Sequence, residues 1–177
     1  MRSGYLAVAV ALACSTLSLE PGQTQQKASY LFVQGAEEAV IKATPADQKT
    51  YQITLTGVGP ETIFFTDQPQ RKAGMIEQTA FMAVLAKEES KRIQPNAALV
   101  WNAPERGALI VKLTKGSYNA RDNTVVYEAT ILPAAEGGIA AFDARKSSGL
   151  PPERVNKPAL FIDGFDLGCN WGDTSNC

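Results

Sequence analysis

Apolar and polar side chains alternate with a period of two along most of the chain after residue 27. In "TYQITLTG", Tyr51, Ile53 and Leu55 share one side while Gln52, Thr54 and Thr56 share the other, as a half-buried strand requires. "ETIFFTD" follows the link Gly57-Val58-Gly59-Pro60. Its glycines permit positive φ and its proline stops a ladder, so the two runs are expected to form a hairpin. Upstream, "SYLFVQG" and "EAVIKAT" are expected to pair with one another about Gly35, and "TPADQ" to turn the chain into the Tyr51 strand. Downstream, "GALIVKLTKGSYN" places Leu109, Val111 and Leu113 inward, and "NTVVYEATILP" does so with Val125, Tyr127, Ala129 and Ile131. The "ARDN" between them is built from residues that bond their own backbone in turns. "AALVWN" precedes this pair and "PALFID" supplies the last strand.

One stretch leaves the period of two. "MIEQTAFMAVLAKEESKR" carries Ile76, Ala80 and Val84 at helical spacing, with Phe81 and Leu85 beside them. Its Ala, Met, Leu, Glu and Lys are good helix formers, so one helix of three or four turns is predicted. Residues 133–158 read as a long loop containing Gly, Pro and Ser, of the kind that is usually functional or mobile. About eight short strands and one helix predict a mainly β fold, an antiparallel β-sandwich with one inserted α-helix.

The N-terminus changes the picture of compartment. "MRSGYLAVAVALACSTLSLEPGQTQQ" begins with Arg2, continues with an apolar run from Tyr5 to Ala13, and holds the small-x-small pattern Ala11-Leu12-Ala13. That is the order of a secretory leader. The run is shorter than the roughly 20 residues a membrane-spanning helix needs, so the mature chain is expected to have none. Residues 1–27 are expected to be signal peptide and spacer, and 28–177 a single domain that is secreted or periplasmic. Cys14 follows the cleavage pattern, but Ala11 stands where a lipidated cysteine normally has leucine. In an oxidising compartment, Cys169 and Cys177 in the tail "GCNWGDTSNC" are natural disulfide partners.

Charge and composition then narrow the chemistry. With 17 basic and 18 acidic residues, neither sign dominates, and no basic stripe suits a nucleic acid. The chain contains no histidine. Ser-His-Asp and Cys-His activation and His-ligated metals are thereby excluded, leaving carboxylates, Tyr, Ser, Lys or Arg for any enzyme. No cofactor and no metal site are expected.

In "FFTDQPQRKAGMI", Asp67 and Arg71 flank a sharp corner. They are candidates to hold a polar ligand by charge-assisted hydrogen bonds. The simpler reading is structural: Asp67 accepts turn N–H groups, Pro69 fixes φ, and Arg71 spans the corner where sheet meets helix. The wider stretch "YQITLTGVGPETIFFTDQPQRKAG" resembles the core of an uncharacterised family of secreted or membrane-associated bacterial proteins. The matching positions are Tyr51, Thr54, Leu55, Gly57, Val58, Pro60, Thr62, Ile63, Phe65, Asp67, Pro69, Arg71, Ala73 and Gly74, and "PNAALV" and "LFID" extend the likeness. Gln68 replaces a basic residue of that pattern, and Thr66 a serine. The resemblance implies secretion and a shared fold, not a reaction.

The tail offers Asp163, Asp166 and Asp173 among glycines. Oxygen ligands of this kind bind calcium, yet their spacing departs from the twelve-residue calcium loop. Trp171 is a candidate for stacking on a sugar ring, or for covering its adjacent disulfide, and Trp101 is expected in the core. The expected function is a non-catalytic binding module for a protein or glycan partner. The alternatives are a carboxylate-dependent glycan hydrolase drawing on Asp67, Asp163 and Asp166, or a lipid-anchored structural protein of the envelope.

Overall fold

The alternating runs become strands, and residues on one side of each pack into a single core. The computed structural model describes residues 29–44, 47–66, 71–102, 106–132 and 151–164. In chain order these hold β1 (Tyr30–Gly35), β2 (Glu38–Thr44), β3 (Asp47–Thr56), β4 (Glu61–Thr66) and β5 (Ala73–Glu77). After α1 (Gln78–Ser90) come β6 (Asn96–Trp101), β7 (Gly107–Asn119), β8 (Thr124–Ile131), β9 (Arg154–Asn156) and β10 (Ala159–Ile162). All pairings are antiparallel within one open sheet of order β5-β4-β1-β10-β6-β7-β8-β3-β2-β9.

The mainly β expectation with one helix therefore holds, whereas two separate packed sheets are not shown. The ten strands exceed the expected eight by the two edges. β5 takes Ala73 and Gly74 after the corner together with residues 75–77, expected to begin the helix, and β9 lies inside the expected long loop. Of the expected hairpins, β2–β3 and β7–β8 form. β3 and β4 do not pair: β3 lies between β8 and β2, and β4 between β1 and β5. The link Gly57–Pro60 instead carries the chain from one half of the sheet to the other. It is anchored where Val58 N–H donates to the Asn123 carbonyl at 3.0 Å and Gln78 N–H to the Pro60 carbonyl at 2.8 Å. Gly57 takes φ 67°, and a Cβ there would meet the Glu37 side chain at 2.6 Å.

β1 and β2 likewise do not pair with each other. They run on as one ribbon against β10 and β9, with partner positions adding to 194 before the bend (Phe32 with Ile162) and after it (Glu38 with Asn156). At the bend, Ala36 N–H donates to the Pro158 carbonyl at 3.1 Å and Lys157 N–H to the Glu37 carbonyl at 2.8 Å. A two-stranded ribbon that bends without losing register is how strands pass from one layer to another. The curl this imposes is measurable. Tyr127 on β8 and Gln34 on β1 are four places apart in the sheet, about 19 Å if it were flat at 4.7–4.9 Å per strand. Their side chains nonetheless meet at 2.7 Å.

Helix α1 packs on the buried face, against β4, β5 and β7. Phe81 sits 5.0 Å ring to ring from Phe32, and Met82 and Leu85 are buried beside it. Close approach to β7 needs Gly116, where a Cβ would lie 2.6 Å from Leu85 and 3.0 Å from Tyr127. At the helix end, Arg92 adopts φ 63° and the Glu88 carbonyl accepts from the N–H groups of Lys91 and Ile93. Tyr51, Ile53, Leu55, Leu109, Val111, Leu113, Val125, Tyr127, Ala129 and Trp101 are all buried in the same cluster.

Candidate functional site

Two features go beyond what packing alone requires: an apolar outer face and a chain of polar groups at the centre. The outer face follows from strand composition. In most of β1, β4, β6, β7 and β10 the apolar residues run on without alternating, as in Ile63-Phe64-Phe65 and Ala108-Leu109-Ile110-Val111. One side of such a strand fills the core, so the other presents apolar groups outward.

The register lines these up. Met75 faces Ile63, Ile63 faces Val33, Val33 faces Phe161, Phe161 faces Ala98, and Ala98 faces Ile110. Phe65 faces Leu31 and Ala73 beside that row, and Val100 faces Ala159 and Ala108 on its other flank. Among the described residues, six of the seven exposed large hydrophobics lie here, led by Met75 at 64%, Ile63 at 52% and Phe65 at 42%; the other is Ile93. With ~150–250 Å² in a full aromatic side chain and less in an aliphatic one, the exposed fractions amount to roughly 500 Å². That is near the upper end for the largest apolar patch of a monomer. The opposite half of the sheet is different. Its outward positions include Gln52, Thr54 and Thr56 on β3, Glu38 and Lys42 on β2, and Glu128 and Thr130 on β8.

Charges sit around the β4–β5 end of this face. Arg71 and Lys72 are exposed at the turn, and Glu61 and Glu77 face one another at the other end. Glu61 and Glu77 also line an open cleft of about 320 Å³ with Pro60, Thr79, Tyr118 and Ala120.

The interior chain runs Tyr127, Gln34, Thr62, Gln78. The Tyr127 hydroxyl donates to Gln34 Oε1 at 2.7 Å, Gln34 Nε2 to Thr62 Oγ1 at 3.1 Å, and the Thr62 hydroxyl to Gln78 Oε1 at 2.7 Å. All four residues are buried, and Gln78 Nε2 has no partner among the described residues. Turning the Gln78 amide over would orphan its oxygen and also leave the Thr62 proton without an acceptor, so the assigned orientation is the better one. Burial pushes the Tyr127 hydroxyl far above its ordinary 10.0, against a smaller lowering by the Gln34 hydrogen bond. It is a fixed donor with no path to becoming a base near neutrality, which makes the chain a structural tie across the curled sheet.

Of the residues singled out from sequence, Arg71 is exposed with φ 46° at the turn between β4 and β5. That turn is closed by Thr66 N–H donating to the Lys72 carbonyl at 2.8 Å and Lys72 N–H to Thr66 Oγ1 at 2.9 Å. The corner thus joins strand to strand, because β5 intervenes before the helix. Asp163 is exposed at the end of β10, where its Oδ1 accepts from Gly164 N–H at 2.9 Å. Asp67, Trp171, Asp166, Asp173 and all three cysteines, including Cys169 and Cys177, lie outside the described residues. No group of three or more Cys, Asp or Glu able to hold a metal ion occurs among the described residues. No helix among them is long and apolar enough to cross a membrane.

The chain matches no family model, and no curated protein and no solved structure matches it. The outer face and the polar chain were both missed in the sequence. The unbroken apolar runs were the available signal for the first. Nothing local marks the second, since Gln34 and Tyr127 are 93 positions apart.

Proposed function

We propose that this protein is a secreted or envelope-associated, non-catalytic binding module, which docks a protein partner on the apolar outer face of β5-β4-β1-β10-β6-β7. The observation that supports it is the row from Met75 to Ile110, apolar on a side of the sheet that the core does not need. Burying such a patch yields roughly 25 cal/mol per Å², enough to drive association once the cost of ordering two molecules is met. A protein surface suits it better than a glycan, because Met75, Ile63, Val100 and Ile110 outnumber the two phenyl rings that could stack on sugar. In this reading the two facing halves of the curled sheet serve as the layers of a sandwich, with the contact surface on the outside of one. The kinship suggested by the motif from Tyr51 to Gly74 belongs to the same proposal.

The test compares capture from native envelope extract by the wild type, by Phe161→Asp with Ile110→Asp, and by Thr54→Asp on the polar half. The double change is expected to weaken capture at least about tenfold with the fold intact, and the control to leave it unchanged. Equal capture by all three would sink the reading. Carboxylate-dependent glycan hydrolysis retains one observation in its favour, the Glu61–Glu77 pair in a cleft. It requires release of reducing ends from envelope glycans that Glu61→Gln or Glu77→Gln abolishes.

A further inference from the structure

We propose that β5 is a self-complementary edge through which two copies of this chain join, antiparallel, into one continuous sheet. This goes beyond the docking of a foreign partner and stands on other observations: the backbone of β5 and the charges at its ends.

The first is which backbone groups face outward. The hydrogen bonds from Thr66 N–H to the Lys72 carbonyl and from Gln78 N–H to the Pro60 carbonyl mark the positions of the strand that bond toward β4. Alternation in an antiparallel ladder then turns the N–H and C=O of Ala73, Met75 and Glu77 away from β4. Among the described residues nothing pairs with that side of β5, the end strand of the sheet. A two-fold axis at Met75 sets Met75 against its own copy and Ala73 against the partner's Glu77. Every outward group then falls in a bonded pair, with about six hydrogen bonds in all.

The second is charge. β5 begins after Arg71 and Lys72 and ends in Glu77, which faces Glu61 on β4. Like charges directly opposite in a sheet are unfavourable. In the antiparallel pair, Arg71 of one copy lies diagonally across from Glu77 of the other, within reach of a long side chain, and relieves the carboxylate pair. Parallel pairing would instead set Arg71 beside Arg71 and Glu77 beside Glu77.

The third is the contrast between the two edges. β9 has three residues, and its Arg154 pairs with Glu38, a short and charged edge of the kind that resists further pairing. β5 is longer, has no proline, keeps an unbroken register with β4, and puts Met75, the most exposed large hydrophobic among the described residues, at its centre. Joining two copies there also carries the apolar row of each face unbroken across the junction.

Sedimentation equilibrium of the full chain tests this with two kinds of variant. Met75→Pro removes an outward N–H that β4 does not use, so the fold should survive, as circular dichroism can verify. Its dimer should dissociate at a concentration at least about 100-fold higher than the wild type. Arg71→Glu and Glu77→Arg should each weaken self-association about tenfold, and an equimolar mixture of the two should restore it. Should Met75→Pro fail to fold, the charge variants and their mixture decide the matter. A wild type that stays monomeric to millimolar concentration overturns the proposal, as does a dimer indifferent to Arg71, Glu77 and Met75. The Phe161→Asp and Ile110→Asp pair should leave this dimer intact, so failure of partner docking and failure of self-pairing are read separately.

Discussion

At the centre of the molecule, Tyr127, Gln34, Thr62 and Gln78 place four uncharged polar side chains where most sheets would pack only aliphatic groups. Each link uses one donor and one acceptor, so removing a single atom leaves its neighbour buried and unsatisfied. Tyr127→Phe is expected to cost about 1–3 kcal/mol by stranding Gln34 Oε1, read as a shift in the urea midpoint. Thr62→Val keeps the shape but strands a group on both sides, and should cost more than Tyr127→Phe. The raised Tyr127 pKa also predicts a pH dependence. The folded state holds the proton that the unfolded chain releases near 10, so this contribution is complete below pH 10 and declines as pH rises above it. Absorbance titration should show one tyrosine that ionises only as the protein unfolds, and Tyr127→Phe should remove it. Period-two spacing sufficed to place Tyr127 inward; its partner could not be read, because hydrogen-bond partners far apart in sequence leave no local mark.

Elements show where local chemistry decides and where it is overruled. The turn residues of "ARDN" do close a hairpin, and β2 and β3 pair on either side of "TPADQ", since each of those links is short and its strands have complementary faces. The Gly57–Pro60 link has equally good turn residues and closes none. Val58 is buried there, and its N–H and the Pro60 carbonyl are taken by groups from elsewhere in the fold. Helical spacing from Ile76 located α1 but not its start, because Ala73–Glu77 gains more from pairing with β4 than from an added helical turn. Gly116 sets how closely α1 can approach β7. Gly116→Val should push Leu85 outward and cost about 1–3 kcal/mol, and pairing it with Leu85→Ala should cost less than the two changes summed. Chemical denaturation of the three variants reads that coupling directly.

Over the whole molecule, β10 is the strand on which both halves depend. It lies between β1 and β6, is joined through the bend to β9, and contributes Leu160 and Ile162 to the core, both fully buried. Leu160→Ala is expected to cost about 2–5 kcal/mol and to loosen β1 and β6 together, seen as faster exchange of the amides that bond to β10, those of Phe32 and Ala98. The patterning of the sequence by itself determined that the described chain is a β protein with one helix, which side of most strands is buried, and that no imidazole chemistry is available. Period and composition act within a few residues, so one chain suffices to read them. Only the tertiary structure decided which strands neighbour one another, that the sheet bends at residues 36–37 and 157–158 without losing register, and which apolar residues are left facing outward. Those are contests among distant segments for the same hydrogen bonds and the same core volume. Runs such as Ile63-Phe64-Phe65 offer both faces equally, and only the packed whole selects one.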